Sequence, residues 1–399
     1  MLYVPRKSRK ILKLGRQDNL NRKKLLKIRK EARIKMIREG RFGTFEAVTI
    51  LLWPTLAKIY LSFSAGIIQE NYSAAWLGVI IGCLTAFLWF LPLAALLKRF
   101  PGEDLIAIAE NVTGPVIGKI LSGVMVLFFL ISTTLLLRQI AETVIGTALP
   151  MVPLTVIIIT FTLVMLLPSV WGLESAARVS ALITPYLLAG GIGLFLLQFD
   201  NMNPNYLAPL WGPGISKLII NGFFRSSILS ELVFLGFLVP SLPKLNPFKT
   251  GLILIAVATV LLTGAMIVTQ MVFPPPVAAE HAYPFYEMAR SIYFGRFYQR
   301  IEFIFILVWI TMVLFSLSFR FYFTTVGLAR IFRMPYYQPL LGMTALAVLA
   351  VALLYHNYTD TVYLDNLIRG RWAWVPAFLV PLFIYLVAVL MGKRCKNNA

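Results

Sequence analysis

Ten stretches of predominantly apolar residues constrain this chain more than any other feature. They fall at 44–66, 74–97, 116–137, 151–171, 178–198, 219–240, 250–272, 301–328, 339–355 and 372–391. A helix rising about 1.5 Å per residue needs roughly 20 apolar residues to cross a hydrocarbon core about 30 Å thick. Each stretch is therefore read as a transmembrane helix, the fourth and ninth having the least secure ends. Composition agrees: of 399 residues 59% are hydrophobic and 14% charged, with a mean hydropathy of +0.79, far from the balance of a soluble domain. The fold class expected is an all-α polytopic membrane protein.

Charge divides the chain further. Residues 1–41 hold 16 Lys and Arg against Asp18, Glu31 and Glu39, most of the net charge of +20. With no apolar h-region this tail is not a cleavable signal peptide. It reads as a solvated basic helix that fixes topology, or as a segment docked on anionic cytoplasmic lipid. It carries no recognisable nucleic-acid reader motif, so nucleic acid is not an expected partner. If the tail is cytoplasmic, the inside segments carry 27 Lys and Arg and the outside segments seven, which places both termini inside by the positive-inside rule. The domains expected are a tail at 1–41, a membrane domain at 42–392 and a short cytoplasmic tail at 393–399.

Two cysteines, Cys83 and Cys395, and two histidines, His281 and His356, supply no disulfide framework and no zinc spacing, so no metal or other cofactor is expected. The polar residues inside the spans form no Ser/His, metal-ligand or paired-carboxylate arrangement, which argues against an enzyme.

Ten spans with both ends inside divide into five plus five. Five is odd, so the second half has inverted topology relative to the first, a transporter architecture in which ligands sit at interrupted helices in corresponding positions of the halves. Here those are spans 1 and 6. Span 1, "ILLWPTLAKIYLSF", carries Pro54, which removes a backbone hydrogen bond, then Thr55, Lys58 and the serines that follow. Span 6, "NGFFRSSILSELVFLGFLVP", carries Arg225, Ser226, Ser227, Ser230 and Glu231. A charge at a helix centre costs about 2.5–3.5 kcal/mol on insertion scales, so these groups should face a cavity or one another. From the helical rise, Lys58 and Arg225 lie roughly 9–12 Å deep and Glu231 about 18 Å. Two cations above one carboxylate suit a ligand bearing its own carboxylate. The competing reading is a structural Lys58–Glu231 ion pair, or a lysine snorkelling outward. The candidate ligand-binding set is Pro54, Thr55, Lys58, Arg225, Ser227, Ser230 and Glu231. Arg320 in span 8 is read as snorkelling at the inner end, and Thr184–Pro185 in span 5 as a kink whose hydroxyl satisfies the freed carbonyl.

Outside the spans, "RFPGEDLIAIAENVTGPVIGKILSG" places a Pro101–Gly102 turn before Glu103 and Asp104 at a helix N-terminus, which predicts an amphipathic cytoplasmic helix. After span 7, "YPFYEMARSIYFGRFYQRIEFIFILVW" sets Glu287 and Arg290 one turn apart on a short outer helix. Together with "SELVFLGFLVPSL", these segments, in this order, resemble the B-subunit permeases of spore germinant receptors, a branch of the amino acid–polyamine–organocation transporter superfamily. The resemblance covers about residues 42–392. It departs from the family at "WPTLAKIYLS", where many members have a glycine-rich break, and in the long basic tail.

The resemblance implies a LeuT-like fold of ten helices in a five-plus-five inverted repeat, with discontinuous first and sixth helices. It also implies a small germinant, typically an amino acid, bound at the centre, and partnership with A- and C-type receptor subunits in the inner membrane of a bacterial spore. Of the family's sites, Glu231 and the interruption of span 1 inherit a binding role. Some sodium-independent members of the superfamily hold a lysine ammonium where others bind sodium, a part open to Lys58. A stand-alone sodium-independent or proton-linked amino acid transporter is the alternative, and nothing within the spans separates the two.

Overall fold

The structure, a computed structural model, describes residues 42–58, 60–241, 246–292 and 302–394. The basic tail and the last five residues, including Cys395, lie outside the described residues, as do Lys244, Arg296 and Arg300. Eight helical stretches are long and apolar enough to cross a membrane by length and composition, and two shorter apolar helices, Thr44–Leu56 and Gln338–Leu354, stand beside them. No strand occurs among the described residues.

The chain opens with α1 (Thr44–Leu56) and, after a break, α2 (Ser62–Asn71), followed by α3 (Ala75–Arg99), α4 (Leu105–Thr113) and α5 (Pro115–Thr147). Then come α6 (Leu154–Trp171), α7 (Leu173–Leu197), α8 (Ile215–Phe224) and, beyond a 3-10 segment at Arg225–Phe234, α9 (Leu235–Leu238). α10 (Pro247–Val272) leads to two short helices, α11 (Pro275–Glu280) and α12 (Pro284–Arg290). α13 (Glu302–Ile331), α14 (Leu341–Leu354), α15 (Tyr358–Asp365) and α16 (Val380–Leu390) complete the chain, with π-helical segments at Asn366–Trp372 and Val375–Leu379 joining the last two.

The expected short helices are present, and their ends show why they form there. Asp104 caps α4, its Oδ1 accepting from the amides of Ile106 and Ala107 at 2.9 Å each, which satisfies two of the orphan N–H groups of the first turn. Glu103 instead accepts from Asn111 at 2.6 Å. α4 folds back on α5 through Gly118, where a β-carbon would lie 2.5 Å from the Glu110 Cα, so only hydrogen fits at that crossing. Lys393 closes the other end of α4 by donating to the Asn111 and Val112 carbonyls at 3.1 and 2.9 Å. On α12, Glu287 and Arg290 pair at 3.8 Å.

Burial is distributed as lipid immersion requires. α6 and α7 present Leu163, Val170 and Leu182 at 60–70% exposure, while polar groups such as Thr162, Ser169 and Ser180 turn inward. Thr184 donates to the Ser180 carbonyl at 2.7 Å and accepts from the Trp53 indole at 3.2 Å. Its hydroxyl thus serves the carbonyl one residue before the one that Pro185 frees, and ties α7 to α1.

Several boundaries differ from the apolar runs, and three of the shifts change how a charged or polar residue is read. The helix of span 3 continues to Thr147 rather than stopping at 137, because Arg138 pairs with Glu142 one turn on at 2.6 Å, and both are largely withdrawn from solvent. Arg138 is therefore a residue within the helix and not a loop cation. Span 10 begins near Tyr358 rather than at 372, its first half carrying Asp365 and Arg369, which offset each other's charge one turn apart. Span 1 runs on past 66 to Asn71.

Candidate functional site

Both of the helices expected to be interrupted are interrupted, and their breaks face each other. Pro54 lies inside α1, two residues before its end, so the helix survives its missing N–H for less than one further turn. The Ala57 amide still reaches the Trp53 carbonyl at 2.9 Å, but Leu61 is extended (φ −103°, ψ −161°) before α2 restarts at Ser62. In span 6 the chain tightens from α8 into ten residues of 3-10 helix, with Leu229 outside helical geometry (φ −108°, ψ 25°). A run of that length is uncommon, and a mid-helix 3-10 stretch often marks a hinge or a strained sequence. All ten of its residues are buried.

Lys58 crosses from the first break to the second. Its ammonium lies 2.6 Å from Glu231 Oε2, 3.0 Å from Ser230 Oγ, and 3.1 and 3.2 Å from the Ser227 and Ile228 carbonyls. Four oxygens thus surround a group with three protons, and the 3-10 geometry supplies the two carbonyls that a continuous α-helix would have kept. The other carboxylate oxygen, Oε1, accepts from Arg320 of α13, which also donates to Ser132 of α5 at 2.7 Å. Lys58, Glu231 and Arg320 are each 1% exposed. Arg320 therefore does not snorkel. It is the second cation on Glu231, its guanidinium held inward by charge-assisted hydrogen bonds to the carboxylate and to Ser132.

Arg225 does not take that place. Its Nε donates to Glu70 of α2 at 2.7 Å, and its guanidinium lies over the Phe63 ring at 5.1 Å. Of the other candidates, Thr55 bonds the Leu51 carbonyl of its own helix at 2.8 Å. Ser227 bonds the Phe224 carbonyl at 3.1 Å and accepts from the Trp374 amide at 3.2 Å. Lys58, Ser230, Glu231 and the backbone of Ser227 are brought together; Arg225 and Thr55 stand apart from them. Two further polar residues meet the break: Gln139 of α5 donates to Ser62 at the start of α2, and Ser132 holds Arg320. Both lie in α5 among other polar residues, Thr133, Thr134, Arg138 and Glu142, so the sequence alone does not single them out.

A second buried polar group lies on span 10. Asp365 Oδ1 and Arg369 NH1 are 2.9 Å apart, with both side chains almost wholly buried. Asn366 and Gly370 border Arg225 there: a β-carbon on Gly370 would lie 2.9 Å from Arg225 NH1, and one on Gly66 would lie 2.7 Å from Asn366 Oδ1. Glycine at these two positions lets α2 and the π-helical segment close on one guanidinium. Among the described residues no group of three or more His, Cys, Asp and Glu side chains gathers as a metal site would require.

Facing helix breaks joined by a buried charge cluster, inside a bundle of membrane-length helices, define a transporter-like membrane protein. Solved structures agree on the fold. The transporter MHP1, of the nucleobase-cation-symport-1 family, superposes with a TM-score of 0.58 at 14% identity, over 88% of this chain and 94% of its own. A Na+-coupled sialic acid symporter superposes at 0.54 and 12% identity, over 88% and 77%. Both are LeuT-fold-like transporters. The chain itself belongs to the spore germination permease family, whose profile, described as spore germination protein, matches residues 42–361. Spore germination protein YndE of Bacillus subtilis is 22% identical over 302 residues, 74% of this chain and 82% of that protein. Spore germination protein XB of Bacillus anthracis is 23% identical over 279 residues, 69% and 77%. The family and the structural neighbours are permeases and transporters, not enzymes.

Proposed function

We propose that this protein is the permease-like subunit of a spore germinant receptor, with ten spans in a five-plus-five inverted repeat. In this reading a small germinant, an amino acid, binds at mid-membrane between the broken first and sixth helices and signals, or conducts, across the spore inner membrane. Both termini face the cytoplasm, the basic tail rests on anionic lipid, and A- and C-type subunits complete the receptor. The observation that carries this reading is the bond from Lys58, at the first break, to two carbonyls and Glu231 at the second. A contact spanning both breaks gives a ligand two discrete arrangements to choose between, as a switch requires.

The stand-alone transporter remains the second reading, and the four oxygens around the Lys58 ammonium favour its sodium-independent form, since that group fills a cation position with a fixed charge. The two readings separate in proteoliposomes. Labelled amino acids are assayed for uptake alongside binding by thermal shift. Saturable binding without net uptake supports the receptor, and robust uptake by the isolated chain supports the transporter. Lys58→Met tests the fixed-charge role: ligand affinity and its pH dependence should both change, and leaving both unchanged removes the idea.

A further inference from the structure

Span 10 holds what the Lys58–Glu231–Arg320 cluster lacks, buried charged groups whose polar atoms have no partner. Around Glu231 every charged group is engaged by another protein group. On span 10, Arg369 Nε and NH1, Asp365 Oδ1 and Asn366 Oδ1 make no hydrogen bond within the described residues, and neither does Arg225 NH1 beside them. Arg369 and Asp365 approach to 2.9 Å, yet off the hydrogen-bonding direction, so proximity offsets their charges without satisfying either atom. Buried polar atoms in folded proteins are ordinarily satisfied, and a cluster that is not calls for an explanation.

These atoms are also arranged. The π-helical segment bearing Asn366, Arg369 and Gly370 packs against the 3-10 segment of span 6. π-helical turns occur frequently at functional sites. Arg225 NH1 and Asn366 Oδ1 both lie within contact reach of the β-carbon position of Gly370. The 3-10 segment it packs against also carries Glu231, so span 10 lies beside the centre. Donors on two guanidiniums face acceptors on a carboxylate and an amide. A simple anion fits such a set poorly, because Asp365 repels it, and a simple amine fits poorly beside the Arg369 and Arg225 guanidiniums. A group carrying both charges fits.

We infer that Arg369, Asp365, Asn366 and Arg225 form the recognition subsite for a small zwitterion. Arg369 and Arg225 take its carboxylate through their unpartnered N–H groups, and Asp365 takes its ammonium, assisted by the Asn366 oxygen. The inference rests on the amino acid reading above and moves the reading of the ligand's charged ends from Lys58 and Glu231 to span 10.

The test uses the full chain in lipid nanodiscs, with its melting temperature followed against each standard amino acid. Any amino acid that responds is then compared with its carboxamide and its deaminated acid. Each analogue should bind at least about tenfold more weakly, the loss expected when one charged hydrogen-bonded contact is removed. Arg369→Gln should erase the preference for acid over carboxamide, and Asp365→Asn the preference for amino acid over deaminated acid. Asn366→Asp keeps the buried pair intact and places a carboxylate beside Arg225, so it should weaken amino acid binding while the unliganded protein still melts cooperatively. Arg369→Lys should restore part of the carboxylate preference. A wild type that responds to no amino acid overturns both the subsite and the reading beneath it. A wild-type response kept, with its discrimination, in Arg369→Gln, Asp365→Asn and Asn366→Asp overturns the subsite alone.

Discussion

The two buried charge clusters differ in how completely they are satisfied. At the centre, one carboxylate gives each of its oxygens to a different cation, and the cations direct further protons to carbonyls and hydroxyls of spans 3 and 6. On span 10, equally buried groups pair by charge and leave donors and acceptors unused. A closed hydrogen-bond network resists change and fixes geometry, whereas an incomplete one retains a free-energy gain for something that completes it. On the inference drawn above, the centre is the clasp between the two breaks and span 10 the buried site that reads a ligand.

That contrast is open to attack in order of effect. Glu231→Gln should be the most damaging single change, about 3–5 kcal/mol, because it leaves two buried cations without their shared counter-ion. Expression and melting temperature in matched detergent measure it. Lys58→Met or Arg320→Met should cost less, roughly 1.5–3 kcal/mol, since each leaves Glu231 in a neutral pair and removes only charge-assisted hydrogen bonds. If either matched Glu231→Gln, the carboxylate would not be the hub. Glu70→Gln, at the side chain that pairs with Arg225 and is 24% exposed, should cost about 1–2 kcal/mol, because water reaches the site. The same melting assay ranks it below the central variants.

Much of this was legible in the sequence. Apolar run length located nearly all the membrane helices, and the pairing of span 1 with span 6 followed from counting spans and asking which helices were polar. Lys58 and Glu231 announced themselves by the cost of burying a charge. Partner choice was less visible. Arg225 and Arg320 are both arginines in spans, and linear depth placed the first near Glu231 and the second at the membrane edge. Depth along one helix says nothing of which neighbour a side chain faces, and α13 brings Arg320 inward while α2 offers Arg225 its own acid, Glu70. Span 10 was hidden for the opposite reason. Asp365, Asn366, Arg369 and Arg371 lower the local hydropathy enough to look like a loop, and only the i, i+4 spacing of Asp365 and Arg369 hinted that the helix begins before them.

The central claim is that Lys58, Glu231 and Arg320 act as one unit, and a coupling measurement tests it most directly. Melting temperatures of Glu231→Leu and of the combined Lys58→Met, Glu231→Leu and Arg320→Met variant should be compared in the same nanodiscs. Removing the carboxylate alone should destabilise strongly. Removing all three charges should recover most of that loss, because apolar groups of similar volume replace a buried ionic cluster at little cost. A combined variant whose loss equals or exceeds the sum of the single losses would contradict the account.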